Sequence, residues 1–294
     1  MSFRSFYLPF TIILGILLPS FGAFSWLISP LLSLLLFLSF LQFSFSFSVF
    51  HEKKIFLVVL LNVLLGVGAG VLFSFFSRDI GITAFLVSIA PTASAAPAVI
   101  AMLGGDIAFI TASLLLSTLT CTLLMPFLLF FLFQTEGISL VEMGINIGEV
   151  ILLPLVLAQG IRFFFPAFVE RHKKISRWSF WIWGIAVLLA MAKTSAYLWA
   201  LEKNSLLSTL LAPAGLAFFL CFVHFFMGKK AGGVQYSREM SQSLGQKNTL
   251  LVTWVALHFY TPAIALGPIF YIIAHNLYNS FQIFHYERTI RKNT

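Results

Sequence analysis

Charged residues interrupt this chain at intervals close to the thickness of a bilayer. Residues 5–50 contain no Asp, Glu, Lys or Arg, and uncharged runs also cover 55–77, 80–105, 107–135 and 204–228. Runs 143–161, 178–201 and 240–286 each carry one charge, Glu149, Lys193 and Lys247 respectively. A helix crosses the hydrocarbon with about 20 apolar residues, so the shorter runs predict one span each and the two longest predict two. Pro19, Ser20 and Gly22 divide the first long run, and Thr261 and Pro262 divide the last. The pattern predicts ten membrane-spanning helices and no strands.

Composition agrees with that pattern. The chain has 294 residues, 60% hydrophobic, 16% aromatic and 10% charged, with 35 Phe. One water-facing core cannot hide that much apolar surface, so a soluble enzyme is excluded. The net charge of +8 does not point to nucleic acid, because the basic residues follow membrane orientation. With the N-terminus in the cytoplasm, Arg4, Lys53, Lys54, Arg162, Arg171, Lys173, Lys174, Arg177, Lys229, Lys230, Arg238, Arg288, Arg291 and Lys292 fall inside, and Arg78 and Lys203 outside. Both termini are therefore expected in the cytoplasm, with the lipid bilayer as partner and a bacterial inner (plasma) membrane as the setting. Trp26 and Trp199 at outer ends, and Trp178, Trp181 and Trp183 at an inner end, suit an interfacial belt. The apolar N-terminus imitates a signal peptide, but nine further spans argue for a retained helix. Cys121 and Cys221 lie inside apolar runs and read as small apolar residues.

The chain also divides into two halves, 1–135 and 136–294. LPFTIILGILLP places Pro9 six residues before Gly15, and LPLVLAQGIRFFFP repeats the spacing at Pro154 and Gly160, 145 residues later. The fourth and ninth spans are both interrupted. SIAPTASAAPAVIAMLGGD holds Pro91 and Pro97 among small residues, and SREMSQSLGQKNTLLV holds Gly245 among polar ones. Five spans per half is odd, so the second half enters the membrane in the opposite sense. Interrupted helices in matching positions of inverted repeats point to a carrier's binding site; a pair of kinked packing helices is the plainer alternative.

These segments carry a family resemblance. APTASAAPAVIAMLGGDIAFITASLLLSTL, with Asp106 fifteen positions after Pro91 and the pair Ser117–Thr118 beyond it, resembles the bile acid:sodium symporter family. GQKNTLLVTWVALHFYTPAIALGPIFYIIAHNLYNS resembles the family's second signature, with Gly245 and Asn248 in the break, Pro262 opening the last span, and His275, Asn276 and Leu277 near its end. Arsenite carriers share the crossed-helix plan but place a cysteine where this chain has Thr92. The resemblance implies an all-α polytopic protein with a sodium/proton antiporter-like fold, in which spans 1, 2, 6 and 7 form a panel beside a core of spans 3, 4, 5, 8, 9 and 10. It implies secondary transport of a small-molecule organic anion, and a substrate cavity bordered by Thr92, Ser94, Asn248, His275 and Asn276.

The sequence departs from the family at the ion site. A dehydrated sodium ion needs several oxygens and a carboxylate to offset its charge. The family's Glu, Gln and Asn of span 9 fall on Ser243, Lys247 and Asn248 here, its Ser–Asn pair on Ala96 and Pro97, its span 5 hydroxyls on Ile110 and Leu114, and its span 3 amide on Asn62. With Gln246, the residues Asn62, Ala96, Pro97, Ser243 and Lys247 make up the crossover and ion-site region. Sodium is not expected to bind tightly, and no cofactor is called for. An ammonium at Lys247 can stand in for the ion: either exposure to water couples its protonation to transport, or it stays charged and neutralises an anionic substrate, or it points into a passive wet cavity. Glu149 and Lys193 read as a pair or as snorkelling side chains, and His224 and His258 as packed or interfacial. The chain lacks paired carboxylates, a nucleophile with a base, a phosphate loop and a metal-ligand cluster, so it is not expected to be an enzyme. The alternative function is a non-transporting substrate-binding or sensor protein of the same fold; a channel or proton antiporter lacks an acidic residue at the break.

Overall fold

A computed structural model describes residues 4–42, 52–133, 139–171, 178–201 and 203–293, and among them the chain is all-helical. The elements are α1 (Arg4–Leu17), a 3-10 helix (Pro19–Leu27), α2 (Ile28–Phe40), α3 (Lys53–Ser74), α4 (Arg78–Ile89), α5 (Ala96–Met102), α6 (Ile107–Phe133), α7 (Leu140–Phe164), α8 (Pro166–Arg171), α9 (Ser179–Trp199), α10 (Lys203–Gly232), α11 (Ser237–Gly245), α12 (Thr249–Phe259) and α13 (Pro262–Asn293).

Six helices among the described residues are long and apolar enough to cross a membrane: Pro19–Phe40, Lys53–Ser74, Ile107–Phe133, Leu140–Phe164, Ser179–Trp199 and Thr209–Gly232. The chain is a multi-pass membrane protein on that ground. The other four expected spans take different forms. α1 has 14 residues. The fourth run is split into α4 and α5, and the ninth into α11 and α12. α13 has 32 residues but carries His275, Asn276, Asn279 and Gln282 along its length. Lys173, Lys174 and Arg177 of the charge pattern lie outside the described residues.

Helix boundaries follow local chemistry. Ser77 Oγ accepts from Ile80 N (3.1 Å), Ser139 Oγ from Glu142 N (3.0 Å) and Asp106 Oδ1 from Ala108 N (2.8 Å), capping α4, α7 and α6. Pro262 opens α13 where its missing N–H costs nothing. α3 shows how the helices divide their surfaces. It buries Ile55, Val58, Asn62, Gly66 and Gly70 at three- and four-residue spacing, and turns Phe56, Leu60, Leu64 and Val71 outward. In water that outer face would be a large apolar patch; against lipid chains it is matched.

α1, α2, α7 and α9 pack on one another, and α3, α4, α6, α10, α11 and α13 pack as a second group. α6 against α7, and α12 against α2 and α9, join the two groups. α10 returns into α11 through a turn in which Gly233 adopts φ +64°, a conformation that disfavours a side chain. The two helices then approach so closely that a Cβ on Gly228 would overlap the Met240 carbonyl, whereas a Cβ on Gly215 would meet nothing within 4 Å. Gly228→Ala is expected to cost about 1–3 kcal/mol through overpacking, lowering the melting temperature in detergent by several degrees, while Gly215→Ala leaves it unchanged or raises it.

Candidate functional site

The break between α4 and α5 and the break between α11 and α12 meet as two extended strands. Thr92 and Lys247 form an antiparallel bridge. Ala93 N donates to the Gln246 carbonyl (2.8 Å), and Asn248 N donates to the Pro91 carbonyl (2.7 Å). The side chains of the bridged pair repeat the arrangement. Thr92 Oγ1 donates to the Ser243 carbonyl (2.8 Å) and Lys247 Nζ to the Ser88 carbonyl (2.7 Å). Thr92 and Lys247 are 155 positions apart, as are Pro91 and Gln246, Ala93 and Asn248, and Ser88 and Ser243. Shifting every donor and acceptor by that interval exchanges one set of bonds for the other.

The reason for these contacts is the chemistry of a helix end. The last carbonyls of a helix have no partner within it and carry its partial negative charge. At the end of α4, Ser88 accepts from Lys247. Ile89 accepts from Asn62 Nδ2 (3.0 Å) and Cys121 Sγ (2.9 Å), and Ala90 accepts from Asn62 Nδ2 (3.3 Å). At the end of α11, Ser243 accepts from Thr92 and Gly245 from the Tyr271 hydroxyl (2.8 Å), which in turn stands 3.0 Å from His224 Nδ1. Lys247 is 1% exposed. Its other partner is the Asn62 side-chain oxygen, so both of its partners are neutral oxygens.

Behind the crossing, Ala96 packs with Ile100 and Ile110 in a buried apolar cluster, and Leu114 belongs to the main core. Ala96 and Pro97 lie in the first turn of α5, a position where a proline is tolerated. Ser243 is buried, and its hydroxyl has no partner among the described residues.

In front of the crossing, between α2 and α9 on one side and α13 on the other, lies a cavity of about 450 Å³. Ser94, Asn248, His275 and Asn276 line it, together with Gln246 and Lys247. Apolar walls come from Leu32, Leu35, Leu36, Phe180 and Trp183. Thr92 is a correction: it lines no part of the cavity, because its hydroxyl is turned into the bridge. Asn248 also has a structural duty, since its Oδ1 accepts from Leu251 N (3.3 Å) and caps α12. Asn276 Nδ2 is spent on the Ile272 carbonyl (2.7 Å). Among the described residues, three lining side chains keep a buried polar atom unpartnered, namely Ser179 Oγ, Gln246 Oε1 and His275 Nδ1.

Sequence reasoning missed several contributors. Cys121, read as a small apolar residue, has its Sγ against Ile89 O and within 3.1 Å of Asn62 Nδ2. It belongs to a stripe with Ser113 and Ser117 at four-residue spacing, which the sequence did display. Ser117 Oγ accepts from Thr92 N (3.2 Å). Tyr271, four residues before His275, is another such signal. Glu149 and Lys193 are both exposed, and no hydrogen bond or ion pair joins them. His224 is buried and His258 exposed against Trp254. No family of known sequence pattern matches this chain, and no curated protein does.

Removing the Asn62 amide strips donors from two carbonyls and an acceptor from a buried ammonium. Asn62→Leu is expected to destabilise by about 1–3 kcal/mol. Adding Lys247→Met, which removes the buried charge, should recover part of that loss; a double-mutant cycle of unfolding midpoints checks it, and simple additivity would show that the two side chains are not coupled.

Proposed function

We propose that this chain is a secondary carrier of an organic anion, working by alternating access, in which the Lys247 ammonium takes the place of a coupling sodium ion. The observation that carries this reading is the contact of Lys247 Nζ with the Ser88 carbonyl at the open end of α4. A cation is what the negative end of an interrupted helix attracts, and here the cation is covalently part of the protein.

Three further observations support the reading. The exchange of hydrogen bonds under a 155-residue shift fits two inverted repeats, 1–135 and 136–294, of five spans each. The shift differs from the 145 residues that separate Pro9 from Pro154, which places length changes between the first spans and the crossing. The grouping of α1, α2, α7 and α9 apart from the remaining helices fits a panel moving against a core, with the cavity between them. Finally, the resemblance to the bile acid:sodium symporter family assigns oxygen ligands to positions where Ala96 and Ile110 pack as hydrocarbon. Sodium has little to bind there.

The cavity suits an amphipathic solute. Its apolar walls face the hydrocarbon body, while Ser179, Gln246 and His275 offer hydrogen bonds. The α12 N-terminus and the Lys247 charge behind it favour a carboxylate or sulfonate. Both termini would lie in the cytoplasm of a bacterium, with the chain in its plasma membrane.

Reconstituted in liposomes, the protein is expected to take up a radiolabelled bile acid or a comparable amphipathic carboxylate at equal rates in sodium, potassium and choline. Lys247→Gln should alter the uptake rate or its ion dependence without preventing folding; unchanged uptake and ion response would sink the role given to Lys247. The melting temperature should not rise specifically with sodium, because an ion that binds only the folded state must stabilise it. A saturable sodium effect would restore a symporter. Stabilisation by the anion without flux would favour a non-transporting binding protein.

A further inference from the structure

α11 and α13 face each other across a line of polar side chains, of which the reading above uses only the two at the cavity end, Gln246 and His275. On α13 the line is His275, Asn279 and Gln282, at four- and three-residue spacing; opposite are Gln242 on α11 and Gln246, the residue that follows the end of α11. One end opens on the cavity, lined by His275 and Gln246. The other opens on a separate basin of about 800 Å³ near the C-terminal ends of α10 and α13, whose lining includes Gln282. Between these ends in the line stands the rung formed by Gln242 and Asn279, which are 0% and 5% exposed.

That rung is half satisfied. Gln242 Nε2 donates to Asn279 Oδ1 (3.0 Å) and to Gln282 Oε1 (2.6 Å). Among the described residues Gln242 Oε1 and Asn279 Nδ2 have no partner, and neither do Gln246 Oε1 and His275 Nδ1 one turn further along. Four orphaned polar atoms in sequence along one seam would each cost about 1–3 kcal/mol if left dry. A polar seam of this kind is where buried water is held, since each molecule finds two or more partners.

We infer that a file of water molecules occupies the seam between α11 and α13 and joins the basin to the back of the cavity. It gives water displaced by an entering solute a way out that does not pass the solute itself. It also keeps Gln246 and His275 solvated while the cavity is filled from the front. The inference does not rest on the identity of the solute or on transport, because the seam is defined by the protein's own side chains.

Cysteine reactivity tests it on the full-length protein. Thiolate formation needs water, so a thiol in a wet seam reacts and one in a dry core does not. Asn279→Cys and Gln242→Cys, made singly, are treated with methyl methanethiosulfonate and read by mass spectrometry, with the exposed Gln235→Cys as reference and the buried native Cys121 and Cys221 as internal controls. Modification at 279 or 242 within about tenfold of the rate at 235, with the native cysteines slower by more than about a hundredfold, is the expected result. Rates as slow as those of Cys221 would overturn it. Should neither variant fold, Gln242→Leu combined with Asn279→Leu decides: a dry seam loses its orphaned amides and melts at the same or a higher temperature, whereas apolar groups set into a water file lower the melting temperature by several degrees.

Discussion

A helix that stops inside hydrocarbon leaves carbonyl oxygens with no water to turn to, and each one must find a donor in the protein. α4 stops at Ile89 and α11 at Gly245, so two such ends have to be satisfied close together. The crossing solves both problems with the same material. Each broken segment presents its backbone N–H to the other, and each contributes one side chain, Thr92 or Lys247, to the other's final turn. Much of what surrounds the crossing follows from this requirement: the amide of Asn62 on α3, the thiol of Cys121 on α6 and the phenol of Tyr271 on α13 all point at carbonyls that would otherwise be unpaired.

The two ends are alike in backbone and unlike in charge. Thr92 brings a neutral hydroxyl to α11, while Lys247 brings an ammonium to α4. Burying an ammonium among neutral oxygens is costly, and the helix dipole of α4 offsets only part of that cost. A residue held at such expense is a functional-site candidate by default in a membrane. Behind the crossing Ala96, Ile100 and Ile110 pack as a buried apolar cluster.

The cavity shows the complementary economy. Its apolar walls are furnished by α2 and α9, and its polar side by the crossing and α13. Asn248 and Asn276, prominent in the sequence, are partly committed to a cap and to a carbonyl. Ser179, Gln246 and His275 each keep a buried polar atom without a partner among the described residues. Polar side chains in this protein therefore divide into those that repair broken backbone and those that remain available, and the first group is the larger near the crossing.

What the sequence by itself determined is the membrane setting and the breaks at Pro91 and at Gly245, because uncharged run length, proline placement and small-residue clusters act locally. It also placed Lys247 at the break. Only the tertiary structure decided what that lysine touches, that Thr92 serves the bridge and leaves the cavity wall, and that Cys121 and Tyr271 belong to the crossing. Those contacts join residues between 26 and 185 positions apart. A hydrogen bond to a carbonyl leaves no mark in the acceptor's side chain, so no pattern of residue types could announce which of Ser88, Ile89 or Ala90 each donor would reach. Helix packing set those partners, and the demand that buried carbonyls be paired made them necessary.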